Sequence, residues 1–305
     1  SGLRVVLGVP GQGTTVPRES GVPVRTGPGG IDPGHLMEQL VPMVRSLLSG
    51  AGVTALGTAV VGAAGLATLG DALRAELPAA LAREFGVRTV ALVADAVTAY
   101  TGALGPRPGA VLAAGTGLIA IGTDLKSWRR ADGWGHLLGD CGGGAWIGRA
   151  GLEAALRAHD GRPGGSTALL ALAEESFGPV RELPGKLYPR TDRPAVLASF
   201  APQVAACADR DPVAAGILSE AARHMAESTA AVCPAEGEPR VCLTGGLFRT
   251  GAALVVPVEE ELRRLLPHAR QVPAAGGPLE GSVQIATELA RSSFTLPSDE
   301  SMVYV

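Results

Sequence analysis

The sequence predicts an α/β protein with mostly parallel strands, built as two similar domains around a central cleft. Apolar, strand-like runs alternate with segments of helical spacing along the chain, which is typical of parallel α/β sheets. A short strand that ends in a glycine turn occurs near residues 10, 115 and 245. This repetition indicates a duplicated unit and disfavours a single dinucleotide-binding sheet.

The composition fits a folded protein of this kind. The 305 residues are 46% hydrophobic and 18% charged, and a length near twice ~150 residues favours two domains. The net charge of −3 argues against binding nucleic acid, which requires a basic surface. The four cysteines form no CxxC pair, which disfavours a zinc or disulfide scaffold and favours a reduced, cytoplasmic location. The uncharged residues 46–70 include six glycines, so no membrane span is expected.

The elements of the first half follow from apolar spacing and turn residues. A strand over Leu3–Val9 enters the first glycine turn, and proline-rich residues 16–34 allow only short strands. Residues 33–48 have helical spacing, with Asp32 as the expected N-cap. The remaining predictions here are a strand within 55–64, a helix over 70–85, a buried strand over 89–94 and a helix over 95–103.

The second half repeats this pattern. Strands over 109–114 and 118–121 form a hairpin around the second glycine turn, and residues 124–144 are predicted as a polar, Gly- and Trp-rich loop. Residues 292–305 are expected to be a polar, mobile tail. The other predicted elements are helices near 145–159, 166–176, 194–208, 212–231, 254–266 and 282–291, and a strand over 240–244.

The glycine turns are candidates for binding phosphate. A strand that ends in glycine exposes backbone N–H groups and allows a phosphate to approach without a Cβ clash. Two such turns facing each other could hold a triphosphate, with the third supporting the nucleoside. Neither GxxxxGK[ST] nor a GxGxxG that opens a helix is present, so P-loop and dinucleotide sites are disfavoured.

Asp95 follows directly after the apolar run of residues 89–94. At the carboxyl end of a strand in an α/β fold, a side chain is placed to meet a ligand. The residue could be only a helix N-cap, for which Asp is a preferred type. It could also be a general base that takes a proton from a substrate hydroxyl during phosphoryl transfer.

The segment of residues 133–148 combines two tryptophans with seven glycines. Aromatic faces, backbone N–H groups and the Asp140 carboxylate suit a polyhydroxylated ring. The alternative is a buried loop in which the tryptophans fill space and Asp140 binds backbone. His136 and Cys141 have no partner in the sequence pattern and are interpreted as structural.

These motifs together resemble a known family. The order is Asp95, then Ala-Gly-Thr-Gly at 114–117, then GWGHLLGDCGGGAWIGR at 133–149, then Leu-Thr-Gly-Gly-Leu-Phe at 243–248. It resembles the N-acetylglucosamine kinase branch of the BadF/BadG/BcrA/BcrD ATPase family, within the actin/hexokinase/Hsp70 superfamily. The resemblance covers about residues 89–291 and is most specific at GWGHLLGD.

The resemblance implies two ribonuclease-H-like (actin-like ATPase) domains around a central cleft: a shortened domain over 1–105 and a second over 106–305, whose last helix can return to the first. It also implies an ATP-dependent kinase that uses Mg²⁺ and phosphorylates a sugar or amino sugar, without a membrane or nucleic-acid partner. Pairing into a homodimer is a weaker implication. By position, the implied site residues are Asp95 as catalytic base; Gly11, Gly13, Thr14, Thr15, Gly115, Thr116 and Gly117 for the phosphates; Gly245 and Gly246 for adenosine; and Gly135 and Asp140 for the sugar.

The sequence departs from the family mainly at its first glycine turn. The family has an aspartate that helps to hold magnesium where this chain has Pro10, and the following segment is shorter. Gly29 and Gly30 stand where the family often has a sugar-binding asparagine, and Cys141 replaces a glutamate. A slow kinase, a kinase for another acceptor and a non-catalytic nucleotide or sugar sensor all fit these departures, with a sugar kinase as the leading interpretation.

Overall fold

The computed structural model describes residues 2–9, 11, 13–299 and 301–305. Within it the chain divides into two compact units, each with its own sheet and core. The first unit comprises Ser1–Pro108, Thr123–Trp128 and Pro273–Val305, and the second comprises Gly109–Gly122 and Arg129–Val272.

The first unit begins with three small hairpins that stay separate from its main sheet. Each hairpin is a two-stranded antiparallel sheet of two or three residues per strand. The strand predicted over residues 3–9 is divided into β1 and β2, which pair with different partner strands. The pairs are β1 (Leu3–Val5) with β4 (Arg18–Ser20), β2 (Gly8–Val9) with β3 (Gly13–Thr14), and β5 (Thr26–Gly27) with β6 (Gly30–Ile31).

The main sheet of the first unit has three strands. β7 (Thr58–Ala63) and β8 (Thr89–Ala94) pair in parallel over their whole length, and β8 lies in the middle of the sheet. β8 is the strand that carries Asp95 at its carboxyl end. The helices of this unit are α1 (Pro33–Ala51), α2 (Leu66–Leu69), α3 (Asp71–Phe85), α4 (Asp95–Leu104) and α12 (Pro278–Ala290).

The first of these helices begins where the sequence predicts. The Asp32 side chain accepts the backbone N–H of His35 at 3.1 Å, and Pro33 occupies the first turn, where its missing N–H costs nothing. Leu36, Leu40, Val44 and Leu47 form the buried stripe of α1. The helix ends at Gly52, whose φ of 64° is the left-handed conformation that glycine adopts most easily.

α4 and α12 cross at glycines. A Cβ atom on Gly102 would lie 1.9 Å from the carbonyl oxygen of Gly277, and one on Gly281 would lie 2.0 Å from that of Thr98. Since no side chain fits at these distances, the two backbones approach each other only because these residues are glycine. This contact fixes α12 against the helix that begins with Asp95.

The segment after α12 differs from the predicted mobile tail. β14 (Val303–Tyr304) pairs antiparallel with Val93 and Leu92 of β8, and Met302 accepts the Ala94 N–H at 2.9 Å. Met302 and Val303 are almost fully buried. The prediction was wrong because two apolar residues suffice to add an edge strand, and a pattern that short is not recognisable in the sequence.

The second unit contains a five-stranded sheet in the order β11–β10–β9–β12–β13. β9 and β12 pair in parallel, so their carboxyl ends lie side by side. The predicted loop over residues 124–144 is partly wrong, because Trp128–Asp132 forms β11 at the sheet edge; two central arginines hide its strand pattern. The strands are β9 (Gly109–Ala114), β10 (Leu118–Thr123), β11 (Trp128–Asp132), β12 (Arg240–Thr244) and β13 (Arg270–Gln271).

Seven helices of the described residues pack around this sheet. The helix predicted over 194–208 is divided in two at residues 199–200, because Pro202 fits only the first turn of a helix. Phe200, Leu218, Met225 and Leu254 are at the centre of the core. The helices are α5 (Gly144–His159), α6 (Thr167–Phe177), α7 (Leu183–Leu187), α8 (Arg193–Ala198), α9 (Ala201–Cys207), α10 (Pro212–Val232) and α11 (Ala252–Leu265).

Among the described residues, no helix combines the length and the apolar character needed to cross a membrane.

Candidate active site

The second glycine turn joins β9 to β10 and is supported from behind by the start of α5. The N–H of Gly115 donates to the oxygen of Gly117 at 2.9 Å, which closes the turn. The N–H groups of Gly144 and Ala145 donate to the oxygens of Gly115 and Thr116, at 2.9 and 2.8 Å. The first N–H groups of a helix have no partner within it, so these bonds satisfy two of them and fix the direction of the turn.

Thr116 lies at the exposed tip of this turn. Its backbone N–H and its hydroxyl have no hydrogen-bond partner within the described parts of the chain. The positive end of the α5 dipole lies behind it. An exposed donor pair in this setting suits an anionic group such as a phosphate.

Close packing of the turn against the start of α5 depends on glycine. A Cβ atom on Gly117 would lie 2.3 Å from Oδ2 of Asp140, and one on Gly144 would lie 2.6 Å from the oxygen of Gly115. One on Gly143 would lie 2.8 Å from the carbonyl carbon of Gly117. The glycines between residues 142 and 144 therefore serve packing as well as turn formation.

Asp140 connects the turn to the loop of residues 133–139. The residue is only 8% exposed, and its Oδ1 accepts the N–H of Gly135 at 3.0 Å while Oδ2 lies against Gly117. Burial raises the pKa of the Asp140 carboxyl group; the hydrogen bond from Gly135 opposes this rise, and the charge of Asp132 adds to it. Asp140 thus links the residues predicted for phosphate and for sugar.

The loop of residues 133–139 is internally bonded but presents large side chains to solvent. Leu138 and Gly139 donate their N–H groups to the oxygen of Gly135, at 3.1 and 2.8 Å. Both backbone polar groups of Gly135 are therefore bonded, the oxygen within the loop and the N–H to Asp140. Trp134 is 62% exposed, and the Arg130 guanidinium lies 4.5 Å from the centre of its ring, a cation–π contact that orients the indole.

Asp132 is the residue of this site that the sequence reasoning missed. It is the last residue of β11, with a φ of 60°. Its two carboxylate oxygens accept the N–H groups of Asp140 and Cys141. The only signal in the sequence is an aspartate directly before the glycine that opens the loop, and that pattern is too common to identify a role.

The third glycine turn follows β12 and lies next to the second. Gly245 has a φ of 107°, and a Cβ atom there would lie 2.1 Å from the oxygen of Ala114, the last residue of β9. Gly245 and Gly246 are both exposed. The parallel pairing of β9 and β12 thereby brings the residues predicted for adenosine beside those predicted for phosphate.

Asp95 is the first residue of α4, directly after the buried end of β8. The helix N-cap is Ala94, so the N-cap interpretation of Asp95 is wrong. One carboxylate oxygen accepts the N–H of Ala96 at 2.8 Å, and the other has no partner among the described residues. The residue is exposed, yet the protein around its carboxyl group excludes enough water to raise the pKa of Asp95. The hydrogen bond from the Ala96 N–H lowers this pKa but does not outweigh the loss of water.

The first glycine turn lies in the β2–β3 hairpin. Gly11 and Gly13 have φ values of 77° and 87°, and Thr14 is exposed. Thr15 is bonded to Leu7 through both its hydroxyl and its N–H, at 3.1 and 2.9 Å. Pro10, expected from the resemblance to stand where the family has its metal-binding aspartate, lies outside the described residues.

The described residues contain no group of three or more His, Cys, Asp or Glu side chains placed to hold a metal ion. Mg²⁺ that is bound with a nucleotide needs only one or two carboxylates, because phosphates and waters supply its other ligands. Phosphate oxygens and waters would therefore supply most of the ligands of such an ion.

Comparisons with solved structures support the fold. A protein of Chromobacterium violaceum described as a candidate N-acetylglucosamine kinase is 24% identical, with a TM-score of 0.70, and the match covers 92% of this chain and 94% of that one. A ROK family glucokinase from Streptomyces griseus, solved with glucose and AMPPNP, is 20% identical with a TM-score of 0.53 over 95% of this chain and 96% of its own. The predicted α/β fold of the actin-like ATPases is thus confirmed.

A curated relative matches a shorter part of the chain. It is the N-acetylmuramic acid/N-acetylglucosamine kinase of Clostridium acetobutylicum, 38% identical over 74 residues, and the match spans about a quarter (24%) of each protein. The model of the BadF/BadG/BcrA/BcrD ATPase family matches residues 30–281, which is most of the chain. The second and third glycine turns, the segment of residues 133–149 and Asp95 lie within that match, whereas the first glycine turn precedes it. The chain belongs to the BadF/BadG/BcrA/BcrD ATPase family.

Proposed function

We propose that the protein transfers the γ-phosphoryl group of ATP to a hydroxyl group of a sugar or amino sugar, with N-acetylglucosamine as the first candidate. The observation that carries this proposal is Asp95: an exposed carboxylate with a free oxygen and a raised pKa, at the carboxyl end of a buried strand. Family membership and the names of the similar proteins support the same reaction.

Asp95 acts as the general base in this proposal. Its free oxygen accepts the proton of the acceptor hydroxyl while the hydroxyl oxygen bonds to the γ-phosphorus, and the bond from that phosphorus to the bridging oxygen of ADP breaks. A pKa above the ordinary value makes the carboxylate a better proton acceptor. The charge of the system balances, since ADP leaves with the electrons of the broken bond.

The glycine turns bind the nucleotide. The turn of Gly115, Thr116 and Gly117 binds phosphate oxygens through the free N–H and hydroxyl of Thr116. The first glycine turn, with Gly11, Gly13, Thr14 and Thr15, is the other phosphate-binding element of this proposal: the exposed Gly11, Gly13 and Thr14 contact the phosphate, and Thr15, which is bonded to Leu7, holds the turn. Gly245 and Gly246 bind adenosine, for which their exposure beside β9 leaves access.

The loop of residues 133–139 and Asp140 bind the sugar. The Asp140 carboxylate has acceptor capacity beyond its bond to Gly135, because each oxygen can accept more than one hydrogen bond. Gly135, whose backbone groups are already bonded, contacts the sugar only through its Cα. Mg²⁺ would be held through phosphate oxygens and waters and would supply positive charge to the transferring group.

The two compact units correspond in this proposal to the two predicted domains, 1–105 and 106–305 with the last helix returning to the first. A homodimer stays a prediction.

A coupled assay of ADP release tests the function. We expect turnover with ATP, Mg²⁺ and at least one of N-acetylglucosamine, N-acetylmuramic acid, glucosamine or glucose. Asp95→Asn keeps the shape of the side chain and removes the base, so kcat is expected to fall by about 10²–10⁴-fold. No turnover with any of these sugars at high enzyme concentration contradicts the proposal, and nucleotide binding without turnover then identifies a sensor.

A further inference from the structure

We propose that Asp132 is a positioning residue that holds Asp140 and the loop of residues 133–139 in place for the sugar. This inference rests on the proposed function, since it takes Asp140 as the sugar-binding carboxylate. Asp132 itself touches neither predicted phosphate nor predicted adenosine residues, and it acts through the backbone of Asp140.

The carboxylate of Asp132 forms two bonds that no neutral side chain of its size can form. Oδ1 accepts the N–H of Asp140, and Oδ2 accepts the N–H of Cys141 at 3.1 Å. Two consecutive N–H groups are thus held by two different oxygens of one group. An asparagine would present an amide NH₂ to one of these donors, and one bond would be replaced by a repulsive contact.

The two aspartates close the loop at both ends. Asp132 precedes the loop and binds the backbone that follows it, while Asp140 follows the loop and binds Gly135 within it. Oδ1 of Asp132 also packs on the loop: a Cβ atom on Gly139 would lie 2.5 Å from it. Loss of the hydrogen bonds to Asp132 would therefore free the backbone that carries the Asp140 carboxylate.

The same link reaches the second glycine turn. Asp140 Oδ2 lies against Gly117, and the backbone carbonyl oxygen of Asp140 accepts the N–H of Gly143 at 2.9 Å. A movement of Asp140 would displace mainly the loop of residues 133–139, because the N–H groups of Gly144 and Ala145 hold the second glycine turn independently. We expect a defect at Asp132 to weaken sugar binding more than nucleotide binding.

The backbone at Asp132 provides a second way to remove the carboxylate. Its φ of 60° is unfavourable for most residues and easy for glycine. Asp132→Gly therefore removes both hydrogen bonds while it relieves the backbone, whereas Asp132→Asn preserves size. Agreement between the two variants separates the effect of the carboxylate from a folding defect.

Asp124 offers a matched control. Its Oδ1 also accepts two backbone N–H groups, from Lys126 and Ser127 at 2.9 and 3.0 Å. It lies at the exposed tip of the β10–β11 hairpin and has no hydrogen bond to the candidate site. Asp124→Asn removes the same charge elsewhere in the chain, while its one remaining carbonyl oxygen can still accept both N–H groups.

The experiment combines amide hydrogen exchange with steady-state kinetics on the full chain. We expect Asp132→Asn and Asp132→Gly to accelerate exchange of the segment 133–141 by about 10-fold or more, as loss of hydrogen bonds to a charged group implies. With N-acetylglucosamine as probe, KM for the sugar should rise by a similar factor, while KM for ATP changes less than about 3-fold. Asp124→Asn should leave the exchange of segment 133–141 and both KM values unchanged.

The outcomes separate this inference from the proposed function. Unchanged exchange in both Asp132 variants would show that Asp132 does not hold the loop. Faster exchange with an unchanged sugar KM would show that its role is only structural. Either result overturns the inference about Asp132 and does not affect the proposed kinase function. A wild-type protein that neither phosphorylates nor binds a sugar in calorimetry overturns the proposed function, and the positioning role with it.

Discussion

At the scale of single residues, the titration of Asp95 is the most direct test of its chemistry. A base is active when deprotonated, and the loss of water around the carboxyl group holds the pKa of Asp95 above its ordinary value of 3.8. We therefore expect kcat/KM to fall as the pH drops through this raised pKa, with an acid limb at higher pH than an ordinary aspartate gives. A profile of kcat/KM from about pH 4 to pH 8 measures it, and the residual activity of Asp95→Asn should lack the limb. A wild-type profile that is flat across this range would exclude the assigned base.

A second residue-scale prediction concerns the buried contact of Ser166 with Asp211. Asp211 caps α10 by accepting the N–H groups of Val213 and Ala214, and the Ser166 hydroxyl donates to it. Asp211→Ala removes the cap and leaves the buried Ser166 O–H without its acceptor, although the Ser166 oxygen still accepts the Leu169 N–H. We therefore expect a loss of about 2–4 kcal/mol in the free energy of unfolding. Asp32→Ala, at a more exposed cap, should cost about 1 kcal/mol. Urea denaturation measures both, and equal losses would contradict the role of burial.

This contribution of Asp211 depends on pH in a defined direction. Burial raises the pKa of Asp211, but the hydrogen bonds from Ser166, Ala214 and Val213 outweigh it, and the net pKa is lowered. A lowered pKa stabilises the folded state at pH values above the ordinary range of aspartate, and the effect disappears as the pH falls through the lowered value. The difference between wild type and Asp211→Ala should thus shrink in acid.

Sequence patterns identify some residues of the candidate site and not others. Asp95 and the glycine turns were recognisable because strand ends and glycines leave a pattern in the sequence. The role of Asp132 depends on a loop that returns to its own start, over a span of residues with no periodicity. The bonds of Gly135, from its oxygen to Leu138 and Gly139 and from its N–H to Asp140, were equally invisible in the sequence, because the folded loop decides which groups meet.

At the scale of elements, the crossing of α4 and α12 predicts an unequal response to the same substitution. Gly281→Ala places a methyl group where the Thr98 oxygen lies, so we expect it to cost about 1–3 kcal/mol or more, as overpacking does. Gly216→Ala, in α10, has open space around it and should stabilise by up to about 1 kcal/mol through helix propensity. Thermal denaturation of the two variants measures the contrast. Similar shifts for both would contradict the close approach.

Elements with strong patterns were predicted well and weak ones were not. β8, β9 and β12 have the predicted bounds, because continuous apolar runs of three to five residues next to turn signals identify buried strands. β11 was missed because arginines occupy its centre. β13 and β14 were missed because a strand of two residues is too short to show an alternation of apolar and polar side chains. The division at residues 199–200 was foreseeable from Pro202 alone.

At the scale of the whole molecule, β14 connects the last described residues to the strand that carries Asp95. Deletion of residues 301–305 removes the buried Met302 and Val303 and the acceptor of the Ala94 N–H. We expect a loss of about 3–5 kcal/mol in stability, from side-chain burial, and faster amide exchange over residues 89–94. Deletion of Val305 alone, which is exposed, should change stability by less than about 0.5 kcal/mol. Unaltered exchange in the longer deletion would show that β8 does not depend on this strand.

The three tryptophans give the molecule an optical signal of its own. Trp128 donates its Nε1–H to Pro297 and packs edge-on to Tyr100, and Trp146 packs edge-on to His224. Trp134 stands in solvent under the Arg130 guanidinium. Fluorescence emission excited at the red edge should therefore come mainly from Trp134. A change in its wavelength or its quenching on titration with a sugar would report binding at the loop of residues 133–139 without any added dye.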